Sequence, residues 1–201
     1  MEKSKQTHKL SKWGHSYKSW HIPLSQNDII LGDALVDMHL HSHGQGAIPL
    51  IIQLVENPRF RLPGLELFHG AVDLDDHDCI HILLGRGMLP KDEAFVIGFT
   101  MGSTGQVGAL EEKLYRLISQ YLYPDVYKFK EDDLEIFRDG LHLGMLCRSD
   151  ALDKVDYGPL MDKTLGEVRN RLGIDTALLK AYYALEAKRY PYAGESMRLL
   201  N

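Results

Sequence analysis

Cysteine is scarce in this chain of 201 residues: Cys79 and Cys147 are its only two, and each lies in an apolar run. Two thiols cannot staple a small secreted fold, so a reduced, cytoplasmic setting is expected. Long apolar runs are missing too, and none approaches the about 18–20 residues of a membrane-crossing helix. Basic charge is in deficit. Lys and Arg number 23 against 28 Asp and Glu, a net charge of -5, which excludes the basic footprint of a nucleic-acid binder. Period-two alternation never persists long enough to mark a strand, and there is no repeat and no low-complexity segment.

What is present describes an ordinary globular chain. Hydrophobic residues make up 44% and charged residues 25%, enough for one core. Residues 1–22 carry five lysines but no arginine and no apolar stretch, which argues against a signal peptide or a mitochondrial presequence. They are expected to form a basic, partly mobile N-terminal arm. Trp13, Tyr17 and Trp20 are equipped to anchor it on the body or at a lipid interface.

Residues 23–201 are expected to form a single-domain all-α bundle of about seven or eight helices. Ser25 and Asn27 offer N-caps to DIILGDALVDMHL. AIPLIIQLVENP reads as a short buried helix that Asn57-Pro58 ends. Asp75 or Asp76 can cap HDCIHILL, with Gly85 as its stop. Pro90 opens the next helix, with Asp92 and Glu93 in its first turn. GALEEKLYRLISQYLY is amphipathic, and Tyr121 on its stripe is expected to be buried. DDLEIFRDGLHLGMLCR is helical despite Gly140 and Gly144. Thr164 and Glu167 make a capping box, Gly173 ends that helix, and Asp175 caps ALLKAYYALEAKR.

Histidine stands out. Seven of the ten histidines fall between His21 and His81. In HDCIHILLGRGMLPKDE (77–93), a helix turning about 100° per residue puts His77, Asp78 and His81 within one arc. His77 and His81 are i,i+4 neighbours, a usual chelating span. The GRGMLP reversal brings the next helix back with Glu93 in its first turn. Two imidazoles and two carboxylates then face one point, a donor set that suits Zn²⁺, Fe²⁺, Mn²⁺ or Co²⁺ more than Ca²⁺. The plainer alternative is a solvated helix start whose acids complement the dipole.

The same residues carry a resemblance. His-Asp-x-x-His, eleven residues, then Glu resembles the signature of the coenzyme Q (ubiquinone) biosynthesis protein 4 family, here as His77-Asp78-x-x-His81 and Glu93. LGEVRNRLGI (165–174) is similar to that family's C-terminal helix. The resemblance spans about residues 47–174 and is densest at 77–93. The chain departs from the pattern at Leu84-Gly85-Arg86-Gly87 and Asp92-Glu93, and HLHSHG has no counterpart in it. The resemblance implies an α-helical fold and a divalent metal, zinc or iron, on His77, Asp78, His81 and Glu93. It also implies an isoprenoid or quinone-like lipid partner, with oxidative decarboxylation or hydroxylation at C1 of a prenylated benzenoid, a lyase or oxygenase activity. A non-catalytic scaffold for other biosynthetic enzymes is the alternative it carries. Peripheral membrane contact, and a homodimer or biosynthetic complex, follow as expectations.

Other residues are candidates for supporting roles. His69 is expected to stand behind the ligands or to join them, and Asp92 to orient a ligand, with a plain first-turn charge as its alternative. Arg86, in the turn, is a candidate for an anionic substrate group, with a solvated loop arginine as the ordinary reading. His39, His41 and His43 sit at a helix end, where imidazolium complements the dipole; support of the main site is the alternative. Gly98 and Gly102 bare one helix face, for close packing or as a smooth wall for an isoprenoid tail. A phosphohydrolase of the His-Asp type needs further ligands, for which His41 and Asp139 are the stand-ins.

Overall fold

The stretch AFVIGFTMG has no polar face, and a helix apolar all round belongs in an interior. The computed structural model, which describes residues 13–14, 16–42, 74–105 and 131–200, puts it there. Among the described residues there are seven α-helices and no strand. They are α1 (Leu31–Ser42), α2 (Leu74–Leu84), α3 (Pro90–Ser103), α4 (Glu131–Cys147), α5 (Leu165–Arg171), α6 (Thr176–Arg189) and the single turn α7 (Gly194–Met197). Three 3-10 turns, Leu152–Lys154, Gly158–Leu160 and Arg198–Leu200, complete them. The all-α expectation holds. The segments 47–58 and 108–123, with Tyr121, lie outside the described residues, as do His43 and His69.

Helix α3 is the centre: every residue from Ala94 to Gly102 is buried. Its closest partner is α4, which runs parallel to it. Gly98 faces the carbonyl of Phe137 and Gly102 that of Leu141, while Gly140 and Gly144 face the carbonyls of Phe95 and Phe99. A Cβ at any of the four would strike backbone. Two GxxxG faces therefore meet, and the absence of side chains lets the helix backbones touch, as at close crossings elsewhere. The glycines that weaken α4 in isolation are what permits its packing, and the close-packing reading of Gly98 and Gly102 is the observed one.

Helix ends follow local chemistry. Gly85 adopts φ 67° after α2 and Gly173 φ 70° after α5, the left-handed conformation in which glycine costs nothing extra. Thr164 and Glu167 form the reciprocal capping box, and the Asp175 carboxylate accepts from the amides of Ala177 and Leu178. Asp92 Oδ2 accepts from the Leu89 amide at 3.0 Å, closing the start of α3.

Three expectations need correction. Helix α1 starts at Leu31, so Ser25 and Asn27 do not cap it. The backbone of 27–31 is already committed to 163–166: the Leu165 and Gly166 amides donate to the carbonyls of Ile29 and Asn27, and the Leu31 amide to that of Lys163. Asp75 and Asp76 lie inside the first turn of α2 and do not precede it. The arm ends earlier than residue 22. Trp20 and Ile22 are fully buried, and the Trp20 indole N–H donates to Asp37 at 2.9 Å, so this segment belongs to the body.

Arg169, in α5, ties these pieces together. It is buried, and its guanidinium donates to the carbonyls of Leu83 and Ile82 at the end of α2, those of Leu24 and Gln26, and the Asn27 side chain. It supplies donors to carbonyls at the end of α2, where intrahelical partners run out. Burial depresses its pKa to about 10.

Candidate metal centre

Helices α2 and α3 are joined by the reversal at Gly85–Leu89, so the last turn of one faces the first turn of the other. His77 and His81 are almost completely buried, at 2% and 0% exposure, so the solvated-helix alternative does not describe this site. His81 Nε2 lies 3.4 Å from Glu93 Oε1 and His77 Nε2 lies 3.6 Å from Glu93 Oε2. The ligand atoms of the three residues fall within 4.8 Å of one another.

These separations carry information. Charge-assisted N–H···O bonds run to about 2.7–2.9 Å, and these contacts are longer. Donors about 2.0–2.2 Å from a tetrahedral zinc would be about 3.3–3.6 Å apart, which these contacts match. Three atoms facing this space, His77 Nε2, His81 Nε2 and Glu93 Oε2, are buried without a hydrogen-bond partner. Buried polar atoms are normally satisfied, so such a group calls for an explanation. The tautomer of His81 is set: its Nδ1 lies 2.7 Å from the Gly87 carbonyl and donates to it. Its Nε2 lone pair is then directed at Glu93, the arrangement usual for a histidine ligand.

The electrostatics agree. Burial opposes a charge on His81, but the adjacent Glu93 carboxylate outweighs it and holds His81 above its ordinary pKa. Burial pushes Glu93 up, yet His81 and then His77 pull it below the usual carboxylate range. A buried carboxylate between two imidazoles demands positive charge, from protons or from a cation. His77, His81 and Glu93 are the residues able to hold a metal, and the remaining coordination positions would be open.

Asp78, expected as a fourth ligand, stands apart. Its Oδ2 pairs with His39 Nε2 at 3.0 Å, and its Oδ1 lies 3.7 Å from His77 Nδ1, on the far side of the ring from Glu93. The converging set is therefore three residues. Asp92 is fully buried and turned away from the imidazoles, toward the Leu89 amide and the Arg198 guanidinium. It holds the end of the helix that carries Glu93.

Arg86 is neither solvated nor accessible to a substrate. It has no exposed surface, and it donates to Glu186 at 3.1 and 2.5 Å. Its guanidinium carbon lies 3.8 Å from the Phe95 ring centre and 4.4 Å from that of Tyr183. A carboxylate and two aromatic faces replace water around the cation. His41 contacts the Asp37 carbonyl, and Asp139 pairs with Arg189 and Tyr182.

One residue escaped the sequence reading. Glu186 had a signal: with Leu179, Tyr182 and Tyr183 it occupies the i, i+3, i+4, i+7 stripe of α6, where an acid implies a buried cation. For His39 the supporting alternative is the observed one, although its partner Asp78 is 39 positions away and nothing local marks the pair. No protein-family model, no curated protein and no solved structure matches the chain.

Proposed function

We propose that this chain holds a divalent metal, zinc or iron, on His77, His81 and Glu93, and acts on or organises a polyprenylated quinone precursor, as its resemblance to the ubiquinone biosynthesis protein 4 family implies. The observation that carries the metal is the convergence of buried, unpartnered ligand atoms from α2 and α3 at metal-like spacing. The motif spacing 77-78-81-93 carries the pathway.

A metal held there would supply Lewis acidity to polarise a ring carboxylate, and iron would in addition activate dioxygen, the oxidant that a C1 oxidative decarboxylation consumes. The chain's own residues do the rest. His81, locked by Gly87, presents Nε2 in fixed orientation. Glu93 supplies the compensating negative charge. The buried faces of α2 and α3 keep bulk water from that side of the centre. Val36 and Leu40, both more than half exposed, are i,i+4 neighbours on the face of α1 next to His39 and give an isoprenoid tail apolar surface beside the site. Peripheral membrane contact fits that surface, and no described helix is long and apolar enough to cross a membrane. The phosphohydrolase alternative loses support, since His41 and Asp139 are engaged elsewhere.

The test is elemental analysis of purified wild type and His81→Ala, with mass spectrometry of co-purifying lipid. About one zinc or iron per chain is expected in wild type and a near-complete loss in the variant. A wild-type chain that takes up neither ion when supplied with both refutes the metal centre. A metal-loaded chain that retains no isoprenoid when expressed beside a quinone pathway removes the lipid assignment and leaves the metal.

A further inference from the structure

We infer that Asp78 serves the centre as an outer carboxylate and not as a ligand, and that His39 of α1 is the positioning residue that holds it there. The inference rests on the metal reading above. His77 has two ring nitrogens in two different settings. Nε2 faces Glu93 at 3.6 Å and Nδ1 faces Asp78 Oδ1 at 3.7 Å. An imidazole that gives one nitrogen to a cation carries its proton on the other, and at 2% exposure that N–H needs a protein acceptor. Asp78 Oδ1 is the carboxylate oxygen placed to be that acceptor, a little beyond hydrogen-bond reach.

The other oxygen explains why Asp78 stays on this side. His39 Nε2 binds Oδ2 at 3.0 Å, and the same nitrogen lies 3.5 Å from Asp75 Oδ1. His39 thus straddles two acids one turn apart on α2 and pins α1 to the first turn of the helix that bears both ligand histidines. Swinging Asp78 to the metal would break the His39 contact and leave His77 Nδ1 buried without an acceptor. The two ligand histidines are oriented by different means: His81 by the neutral Gly87 carbonyl, His77 by a charged carboxylate anchored from another helix. A carboxylate behind a ligand histidine fixes the ring and raises its basicity, and losing such a partner typically lowers metal affinity ten- to a hundredfold.

The experiment measures zinc affinity by chelator competition, and the visible spectrum of the cobalt-substituted protein, for wild type, Asp78→Asn, His39→Leu and His39→Gln. All four are expected to bind about one ion per chain with the wild-type cobalt spectrum, because the ligand set is unchanged. Affinity is expected to fall about ten- to a hundredfold in Asp78→Asn and by a similar or smaller factor in His39→Leu. His39→Gln, which can still donate to the carboxylate, should recover most of it. Melting of the metal-free proteins separates this from a general loss of structure. An altered cobalt spectrum or lost stoichiometry in Asp78→Asn would make Asp78 a ligand and overturn the inference alone. Unchanged affinity in both Asp78→Asn and His39→Leu overturns it as well. A wild-type chain that binds neither zinc nor cobalt overturns the metal reading and this inference with it.

Discussion

Removing Glu186 should destabilise the protein far more than removing Glu186 and Arg86 together. The two side chains are fully buried and joined by two hydrogen bonds, and Ser196 donates to Glu186 as well. Burial pushes the Glu186 carboxyl up, but the Arg86 guanidinium more than offsets this and holds it below the usual range. In Glu186→Leu the guanidinium stays behind, stacked on Phe95 and Tyr183, with Asp92 at 4.0 Å as its nearest remaining anion. Leaving one charge of a buried pair uncompensated costs about 3–5 kcal/mol. The double variant Arg86→Met/Glu186→Leu removes both charges and fills the space with apolar atoms, so its cost should be within about 2 kcal/mol of wild type. The pair then couples by at least about 1–3 kcal/mol. In urea, at an m-value of about 2 kcal/mol/M, the single variant should unfold about 1.5–2.5 M earlier and the double variant less than about 1 M earlier. Additive costs, or a Glu186→Leu variant within about 1 kcal/mol of wild type, would refute the claim that this ion pair is held dry.

Two further outcomes follow from the packing and from a buried histidine. Gly102→Ala should destabilise by about 1–3 kcal/mol despite alanine's better helix propensity, because the new methyl meets the Leu141 carbonyl. Gly194→Ala, whose Cβ would meet nothing within 4 Å, is the control and should be neutral or slightly stabilising by chemical denaturation. His21 is held down to about 4 by burial and by the nearby Arg198. The unfolded chain therefore binds the extra proton between about pH 6.5 and 4, and its contribution, on the order of 3 kcal/mol, is complete above 6.5 and lost as pH falls toward 4. His21→Asn should flatten the decline of stability between pH 7 and 5 in urea titrations, and an unchanged slope would contradict it.

Much of the molecule was legible from residues close together in the chain. The stops at Gly85 and Gly173, the box at Thr164 and Glu167, the cap at Asp175 and the proline start at 90 all use partners within a few positions. His77, His81 and Glu93 belong to the same class, because helix periodicity and one tight reversal are enough to bring them together. The start of α1 was misread because its preceding backbone bonds to 163–166, which no local rule anticipates.

Packing decided what each charged group meets. Arg86 looked like a loop residue and became part of the core because Glu186 arrives from 100 positions away. Asp78 has the right phase for a ligand, yet α1 supplies an imidazole that draws it aside. Gly98 and Gly140 are poor helix residues taken singly and a close crossing taken together. Short-range hydrogen bonds and periodicity are properties of a segment, whereas neutralising a buried charge or fitting two backbones requires a partner whose position exists only once the chain has folded.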